Sequence, residues 1–277
     1  MKKETKRRKT TIIKAFALMC LFFVAVSCST DETQVVANFN ELVMSDEFTV
    51  NGTPDSAIWG YEIGTGENGW GNNELQYYTD RTENVTVQNG VLIITAKKEA
   101  LNGAAYTSAR ITSKGKFEQA YGRFEARIKL PSGQGIWPAF WLLGSNCDQV
   151  DWPQCGEIDI MEFRGQEPTK IHGTVHGPGY SGAGGITKSY TLENDRFDTG
   201  FHVFGIEWTP EYINYYVDDV LYNQITRADV TGQWVFNKPF YIIINLAVGG
   251  TFVGDPNSET TFSQNMLVDY VRVYKNN

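Results

Sequence analysis

The chain has 277 residues and a formal net charge of −8, and its length suits one β-sandwich of roughly 200–250 residues. Its 16 Phe, 14 Tyr and 7 Trp, together with 27 Gly, are typical of short strands joined by turns. The negative charge argues against nucleic acid and anionic polymers as partners, because phosphate binding needs a basic surface.

The N-terminal segment, residues 1–27, predicts export. Lys and Arg residues precede the apolar run 15–26, which is shorter than the ~20 residues of a membrane span and is typical of a signal peptide. The run ends at Cys28 and resembles the lipobox of bacterial lipoproteins, although Ala25 stands where that motif usually has Leu. We therefore predict lipidation of Cys28, with an ordinary secretory signal as the alternative.

Residues 28–38 are predicted to be a polar tether, and residues 39–277 a single β-sandwich domain. Residues 1–27 carry seven positive charges and one negative charge, so their removal lowers the net charge to −14, which favours a neutral ligand.

Two cysteines remain in the exported chain, Cys147 and Cys155. In an oxidising compartment they can close a loop as a disulfide, and two buried thiols are the alternative.

The rest of the sequence predicts a succession of short strands. A first strand is expected within residues 38–48, and Asn89-Gly90 between two β-rich runs, 85–87 and 91–96, predicts a hairpin with a type I′ turn. Further strands are predicted, in chain order, at 110–113, 122–130, 136–143, 156–163, 171–176, 201–208, 212–217, 220–222, 240–248 and 268–274. This pattern, without a convincing helix, predicts an antiparallel β-sandwich.

The strand at 156–163 carries three acids, Glu157, Asp159 and Glu162, among apolar neighbours. Alternation places Glu157 and Asp159 on one face of the strand, and Glu162 falls out of phase with them. One extra residue, Met161, restores the phase if it forms a β-bulge, a feature found beside active sites. All three acids then line one surface.

A pair of carboxylates is the working unit of most glycosidases, with one acid that protonates the leaving oxygen and one nucleophile or base. A third acid can keep the pair in different ionisation states, because like charges at close range push their pKa values apart. The alternative interpretation of the three acids is a solvated strand face.

The segment GEIDIMEF at 156–163 resembles the E-x-D-x-x-E signature of glycoside hydrolase family 16, in its bulged, laminarinase-like form. Four further segments resemble this family in the same order, so that the similarity covers nearly all of residues 40–277: WGNNELQYYT at 70–79, YGRFEARIKLPSGQGIWPAFWLLG at 121–144, HGTVH at 172–176 and VDYVRVY at 268–274. The resemblance implies a concanavalin-like jelly roll with an open concave cleft.

It also implies a retaining mechanism that needs no cofactor for catalysis. By this resemblance Glu157 is the nucleophile, Glu162 is the general acid and later the base, and Asp159 tunes the pair. Retention implies a separation of ~5–5.5 Å between the two catalytic carboxyl groups.

A set of further side chains is predicted to bind the substrate. The resemblance implies this role for Trp137, Trp141, Asn73, Glu74, Arg110 and His176, and flat aromatic rings suit the apolar faces of sugars. Asn245, a polar residue in the apolar strand 240–248, is a further candidate. The alternatives are core positions for the tryptophans, ordinary polar positions near turns and a structural amide for Asn245. A zinc site at His172 and His176 is disfavoured, because no third ligand accompanies them at suitable spacing.

Many members of the family hold a structural calcium far from the cleft. The matching positions here are Glu47, the backbone of Gly90 and Asp269, and such oxygen ligands are the kind that calcium prefers.

The sequence therefore predicts a monomeric enzyme that cleaves internal β-1,3 bonds of laminarin-like β-glucans, with Met161 favouring this branch over mixed-linkage β-1,3-1,4-glucanases of the lichenase type. A non-catalytic lectin on the same fold is the alternative from another class, and the presence of all three acids argues against it. A large external polymer as substrate suggests the outer membrane or cell surface, with the lipid anchor as the sole membrane contact.

Overall fold

The computed structural model describes residues 38–276, and strands account for most of the ordered elements in that range. The predicted export signal, Cys28 and the tether up to residue 37 lie outside the described residues. Between residues 38 and 276, no helix is both long and apolar enough to cross a membrane.

The strands are, in chain order, β1 (Phe39–Asp46), β2 (Gly60–Tyr61), β3 (Gln76–Tyr78), β4 (Val85–Gln88), β5 (Val91–Ala96), β6 (Tyr106–Ser108), β7 (Arg110–Thr112), β8 (Gly122–Lys129), β9 (Ile136–Gly144), β10 (Glu157–Phe163), β11 (Lys170–His176), β12 (Ile186–Thr191), β13 (His202–Trp208), β14 (Tyr212–Val217), β15 (Val220–Thr226), β16 (Phe240–Val248) and β17 (Gln264–Asn276). Two short helical turns, Gly69–Asn73 and Gly182–Gly184, interrupt the loops.

Two antiparallel sheets hold most of these strands. The first has the order β15-β14-β13-β8-β17-β5-β4, with β1 also paired to β17, and the second has the order β12-β11-β10-β9-β16-β7-β2. The predicted antiparallel all-β sandwich is therefore confirmed. One small pair differs from that prediction, because β3 and β6 run parallel.

The core combines side chains from both sheets in one apolar cluster. In the first sheet Phe124 and Phe204 are completely buried, and in the second sheet Phe140, Leu142 and Ile158 are completely buried. Because successive side chains alternate between faces, Trp141 and Leu143 of β9 lie on the opposite face of the second sheet. That outer face carries the site described below.

The predicted hairpin between β4 and β5 is also confirmed. Gln88 pairs with Val91, and the two turn residues, Asn89 and Gly90, have φ angles of 54° and 79°. Positive φ at both central positions is what a type I′ turn requires.

Candidate active site

Strand β10 contains the predicted bulge. Asp159 lies opposite Trp141 of β9, but Met161 lies opposite Phe140, so two steps on β10 match one step on β9. Ile160 and Met161 both pack into the core, with 2% and 0% of their surface exposed. The irregularity therefore spans both residues, and it returns the next side chain, Glu162, to the outer face.

Glu157, Asp159 and Glu162 line one open cleft of about 1010 Å³. This volume lies at the upper end of the range for ligand sites. Side chains from several neighbouring strands complete the lining, among them Arg110, Trp137, Ala139, Trp141, His172, Thr174, His176, Thr187 and Asn245. The sheet thus brings together most of the side chains predicted to bind the substrate.

Each predicted catalytic glutamate accepts a hydrogen bond from a tryptophan. The indole nitrogen of Trp152 donates to Oε2 of Glu157 at 2.9 Å, and that of Trp137 donates to Oε1 of Glu162 at 3.2 Å. His176 contributes from β11, where its Nε2 lies 3.2 Å from Oδ2 of Asp159 and 3.7 Å from Oε1 of Glu157.

Burial raises the pKa of all three acids, because a charged carboxylate loses its hydration in the cleft floor. For Glu157, burial and the charge of Asp159 raise the pKa to about 8, whereas His176 and the Trp152 hydrogen bond lower it. Burial raises the pKa of Asp159 to about 7.

For Glu162, burial and then the charges of two acids, Asp159 and Glu157, raise the pKa well above its ordinary value. His176 and the hydrogen bond from Trp137 lower the pKa of Glu162, as His176 and Trp152 do for Glu157. The three acids therefore titrate as one interacting group in which burial favours the neutral form of each.

Trp152 belongs to a loop that a disulfide closes. Cys147 and Cys155 are bonded, with Cα atoms 5.0 Å apart. The backbone of Cys155 approaches Gly144 closely, since a Cβ added to Gly144 would lie 2.0 Å from the carbonyl oxygen of Cys155. Trp152 was not among the predicted site residues; the signal in the sequence was a tryptophan between two cysteines immediately before the acidic strand.

The two predicted cleft tryptophans differ in their surroundings. Trp137 is 8% exposed and contacts Phe252 in a small apolar cluster apart from the main core. Trp141 is partly exposed, and its indole nitrogen donates to Oδ1 of Asn245 at 2.7 Å. Asn245 in turn donates to the hydroxyl of Tyr78 at 3.1 Å, so this amide lines the cleft and is also held in place by the protein.

Arg110 stacks between two aromatic rings at the same end of the cleft. Its guanidinium lies 4.4 Å from the centre of the Trp70 ring and 4.8 Å from that of Trp141, and it forms an ion pair with Glu62. The side chain is 8% exposed. Its cation–π contacts therefore fix the orientation of Trp141.

Glu74 accepts hydrogen bonds from Gln76 at 2.7 Å and from Tyr78 at 3.1 Å, and burial raises its pKa. It lines the cleft together with Asn72, whose side-chain nitrogen lies 3.3 Å from its carboxylate. Asn73 is exposed and is absent from the lining. In the turn 69–73 it is thus Asn72 that lines the cleft, and a role of Asn73 in substrate binding stays a prediction.

The residues predicted to bind calcium lie outside this cleft. The carboxylate of Glu47 forms an ion pair with Arg272 through two contacts of 2.8 Å. The carboxylate of Asp269 forms an ion pair with Arg127 through a single contact of 2.7 Å. Oxygen donors of the right kind are present, but arginines already balance both carboxylates. Within residues 38–276, the one close group of three side chains able to ligate a metal is Glu157, Asp159 and His176.

Residues 72–272 match the family model described as glycosyl hydrolases family 16. The chain belongs to this family. A beta-glucanase of Rhodothermus marinus is 44% identical to it, over 92% of this chain and 93% of that protein. Family 16 members are glycosyl hydrolases, and the chain is therefore an enzyme of this class.

Two solved structures of the family have closely similar folds. The catalytic domain of an endo-1,3-beta-glucanase (laminarinase) from Thermotoga petrophila RKU-1 is 47% identical, with a TM-score of 0.83 over 87% of this chain and 99% of that one. An endo-beta-1,3-glucanase from Pyrococcus furiosus is 49% identical, with a TM-score of 0.82 over 87% and 99%.

Proposed function

We propose that the protein is a retaining endo-β-1,3-glucanase that cleaves internal bonds of laminarin-like β-glucans. The observation that carries the proposal is the placement of Glu157, Asp159 and Glu162 on the floor of one open cleft. The names of the two similar structures, both endo-1,3-β-glucanases, support the choice of bond. An open cleft can admit the middle of a long chain, as internal cleavage requires.

In the first step Glu157 attacks the anomeric carbon, and Glu162 gives its proton to the leaving glycosidic oxygen. The products are a glycosyl-enzyme ester at Glu157 and a released sugar chain. In the second step the Glu162 carboxylate takes a proton from water, which attacks the same carbon and releases Glu157. Two inversions retain the β configuration.

The surroundings of the two glutamates suit these roles. Trp152 and His176 stabilise the negative charge of Glu157, as a nucleophile requires. Asp159 and Glu157 both raise the pKa of Glu162, so that Glu162 keeps the proton that it must donate. Asp159 acts on both glutamates as a buried neighbouring charge.

The negative charge of the protein supports a neutral glucan as its substrate. The chain carries a net charge of −8, and −14 without residues 1–27, so that sulfated galactans would be repelled. Mixed-linkage β-1,3-1,4-glucan is the second candidate substrate, and the bulge at Met161 favours laminarin over it. For a non-catalytic lectin, three clustered acids, of which Asp159 is buried and two are partly exposed, would destabilise the fold without serving a reaction.

One assay separates these candidates. The protein is incubated with laminarin, lichenan, agarose and carrageenan, and new reducing ends are measured, with Glu157→Gln as the inactive control. We expect the highest rate on laminarin and no rate on the galactans. A higher rate on lichenan would support the mixed-linkage enzyme, and binding to laminarin without new reducing ends would support the lectin.

We further propose a monomer with a structural calcium at Glu47, Gly90 and Asp269. Calcium binding there would require Arg272 and Arg127 to leave their carboxylates. The test is thermal unfolding with and without a chelator: a lower melting temperature supports calcium, and an unchanged one argues against it.

A further inference from the structure

His172 has an unused hydrogen-bonding atom in the cleft. The residue is 8% exposed and lines the cleft from β11. Its Nδ1 lies 2.9 Å from the hydroxyl of Ser189 on the neighbouring strand β12, whereas its Nε2 is buried and has no hydrogen-bond partner among the described residues. An unpaired buried polar atom is costly, which indicates a partner supplied by a ligand.

A second unpaired atom lies at the same end of the cleft. Nε of Arg164 is buried and has no partner in the described part of the chain, and the guanidinium lies 4.2 Å from the centre of the Phe252 ring. The His172 ring meets the same phenyl ring edge-on, with centroids 5.5 Å apart. Two polar atoms thus border one aromatic ring, and all three side chains line the cleft.

This group lies on the Glu162 side of the acids, because Glu157 is paired with His176 instead. His172 is the direct cross-strand neighbour of Glu162, and opposite residues in a sheet have Cβ atoms roughly 4.5–5.5 Å apart. Phe252 also contacts Trp137, which donates a hydrogen bond to Glu162. Because the general acid lies beside the leaving oxygen, the sugar that carries this oxygen lies beside Glu162.

We propose that His172, Phe252 and Arg164 form the subsite for the leaving-group sugar, an inference that rests on the proposed function. A neutral glucosyl residue places its apolar face on Phe252 and forms hydrogen bonds with Nε2 of His172 and Nε of Arg164. The Ser189 contact fixes the orientation of the imidazole.

The state of the imidazole suits a neutral sugar. Burial, followed by the charge of Arg164, lowers the pKa of His172 to about 4. The ring is therefore uncharged at neutral pH and offers Nε2 as an ordinary hydrogen-bonding atom. Ser189 at Nδ1 and the sugar hydroxyl at Nε2 can then each serve as donor or acceptor.

The test compares two substrates with different leaving groups, and the readout is the effect of each variant on the ratio of their kcat/KM values. One is laminaripentaose, whose leaving group is a sugar, and the other is a nitrophenyl β-laminaribioside, whose leaving group has no hydroxyl to bind. His172→Phe keeps a ring against Phe252 and removes Nε2. We expect kcat/KM for the pentaose to fall about tenfold, the effect of one lost hydrogen bond, with less than a twofold change for the nitrophenyl substrate.

The matched control is His202→Phe. His202 has the same 8% exposure, lies in the other sheet and binds Asp218 at 2.7 Å. We expect this variant to lower the melting temperature and to leave the ratio of the two kcat/KM values unchanged.

If the wild-type enzyme cleaves β-1,3 bonds and His172→Phe loses kcat/KM equally on both substrates, or on neither, the proposed subsite is wrong. A wild-type protein without β-1,3 cleavage would contradict the proposed function itself, and the subsite with it.

Discussion

The indole nitrogen of Trp152 donates a hydrogen bond of 2.9 Å to the carboxylate of Glu157, five residues further along the chain. The Trp152 ring also lies 5.9 Å from that of His176, the other group that lowers the pKa of Glu157. Since Trp152 lies between the bonded Cys147 and Cys155, we expect the disulfide loop and the ionisation of the proposed nucleophile to be coupled.

Trp152→Phe should move the acid limb of the kcat/KM profile to higher pH. The lost N–H bond favoured the charged form of Glu157, so its removal raises the pKa of the nucleophile. A hydrogen bond to a charged group is worth about 1.5–3 kcal/mol, which corresponds to a loss of roughly ten- to a hundredfold in kcat/KM below the limb. The measurement is kcat/KM on laminarin between pH 4 and 9.

Trp59→Phe is the matched control, because Trp59 donates to Asp46 at 2.8 Å in a buried position outside the cleft lining. We expect Trp59→Phe to be less stable than the wild type and to keep the acid limb of the kcat/KM profile at the same pH. A limb that stays in place in Trp152→Phe would contradict the coupling.

The double variant Cys147→Ser/Cys155→Ser should be less stable and shift the same limb. Closing a loop between residues eight positions apart stabilises the fold by roughly 2–3 kcal/mol, so the melting temperature should fall by several degrees. Release of Trp152 should then raise the pKa of Glu157, as in Trp152→Phe. A lower melting temperature with an unchanged pH profile would mean that the disulfide stabilises the loop without orienting Trp152.

Glu157→Gln should stabilise the protein progressively as the pH rises. The folded-state pKa of Glu157 is raised to about 8, above the ~4.3 of an unfolded glutamate. Between these values the folded state holds more protons than the unfolded state, so the free energy of unfolding of the wild type falls with rising pH. Glutamine does not titrate, so the free energy of unfolding of Glu157→Gln does not fall with pH for this reason.

Thermal unfolding between pH 4 and 9 measures the effect, with Glu193→Gln at an exposed position as the control for the substitution itself. The melting temperature of Glu157→Gln relative to wild type should increase by several degrees across this range. A constant difference would contradict the raised pKa.

Cys28→Ala should release the protein from the membrane, because the lipidated residue predicted from the sequence is lost. Labelling of cells with a radioactive or clickable fatty acid, followed by membrane fractionation, measures both consequences. Labelled, membrane-bound Cys28→Ala would contradict the proposed anchor, and surface exposure is tested by protease treatment of intact cells.

The sequence predicted those features that depend on local pattern. Alternation predicted that Glu157 and Asp159 share a face, the extra residue predicted the bulge before Glu162, and Asn89-Gly90 predicted the hairpin turn. Each of these follows from a few consecutive residues.

The features that the sequence analysis missed depend on segments that meet only in the fold. Trp152 reaches Glu157 through the conformation of the disulfide loop. Arg110 stacks between Trp70 and Trp141, and these three residues lie on three different segments of the chain. The contact of Phe252 with His172 likewise joins a loop to a distant strand, and no pattern of apolar residues in the sequence predicts this contact.

The proposed enzyme cleaves β-1,3-glucosidic bonds with retention, through Glu157 as nucleophile and Glu162 as acid. Proton NMR during hydrolysis of laminarihexaose measures the anomer that appears first, before mutarotation. We expect the β-anomer to appear first with the wild type, and we expect folded Glu157→Ala to give no product. Initial formation of the α-anomer, or turnover by folded Glu157→Ala, would contradict this mechanism.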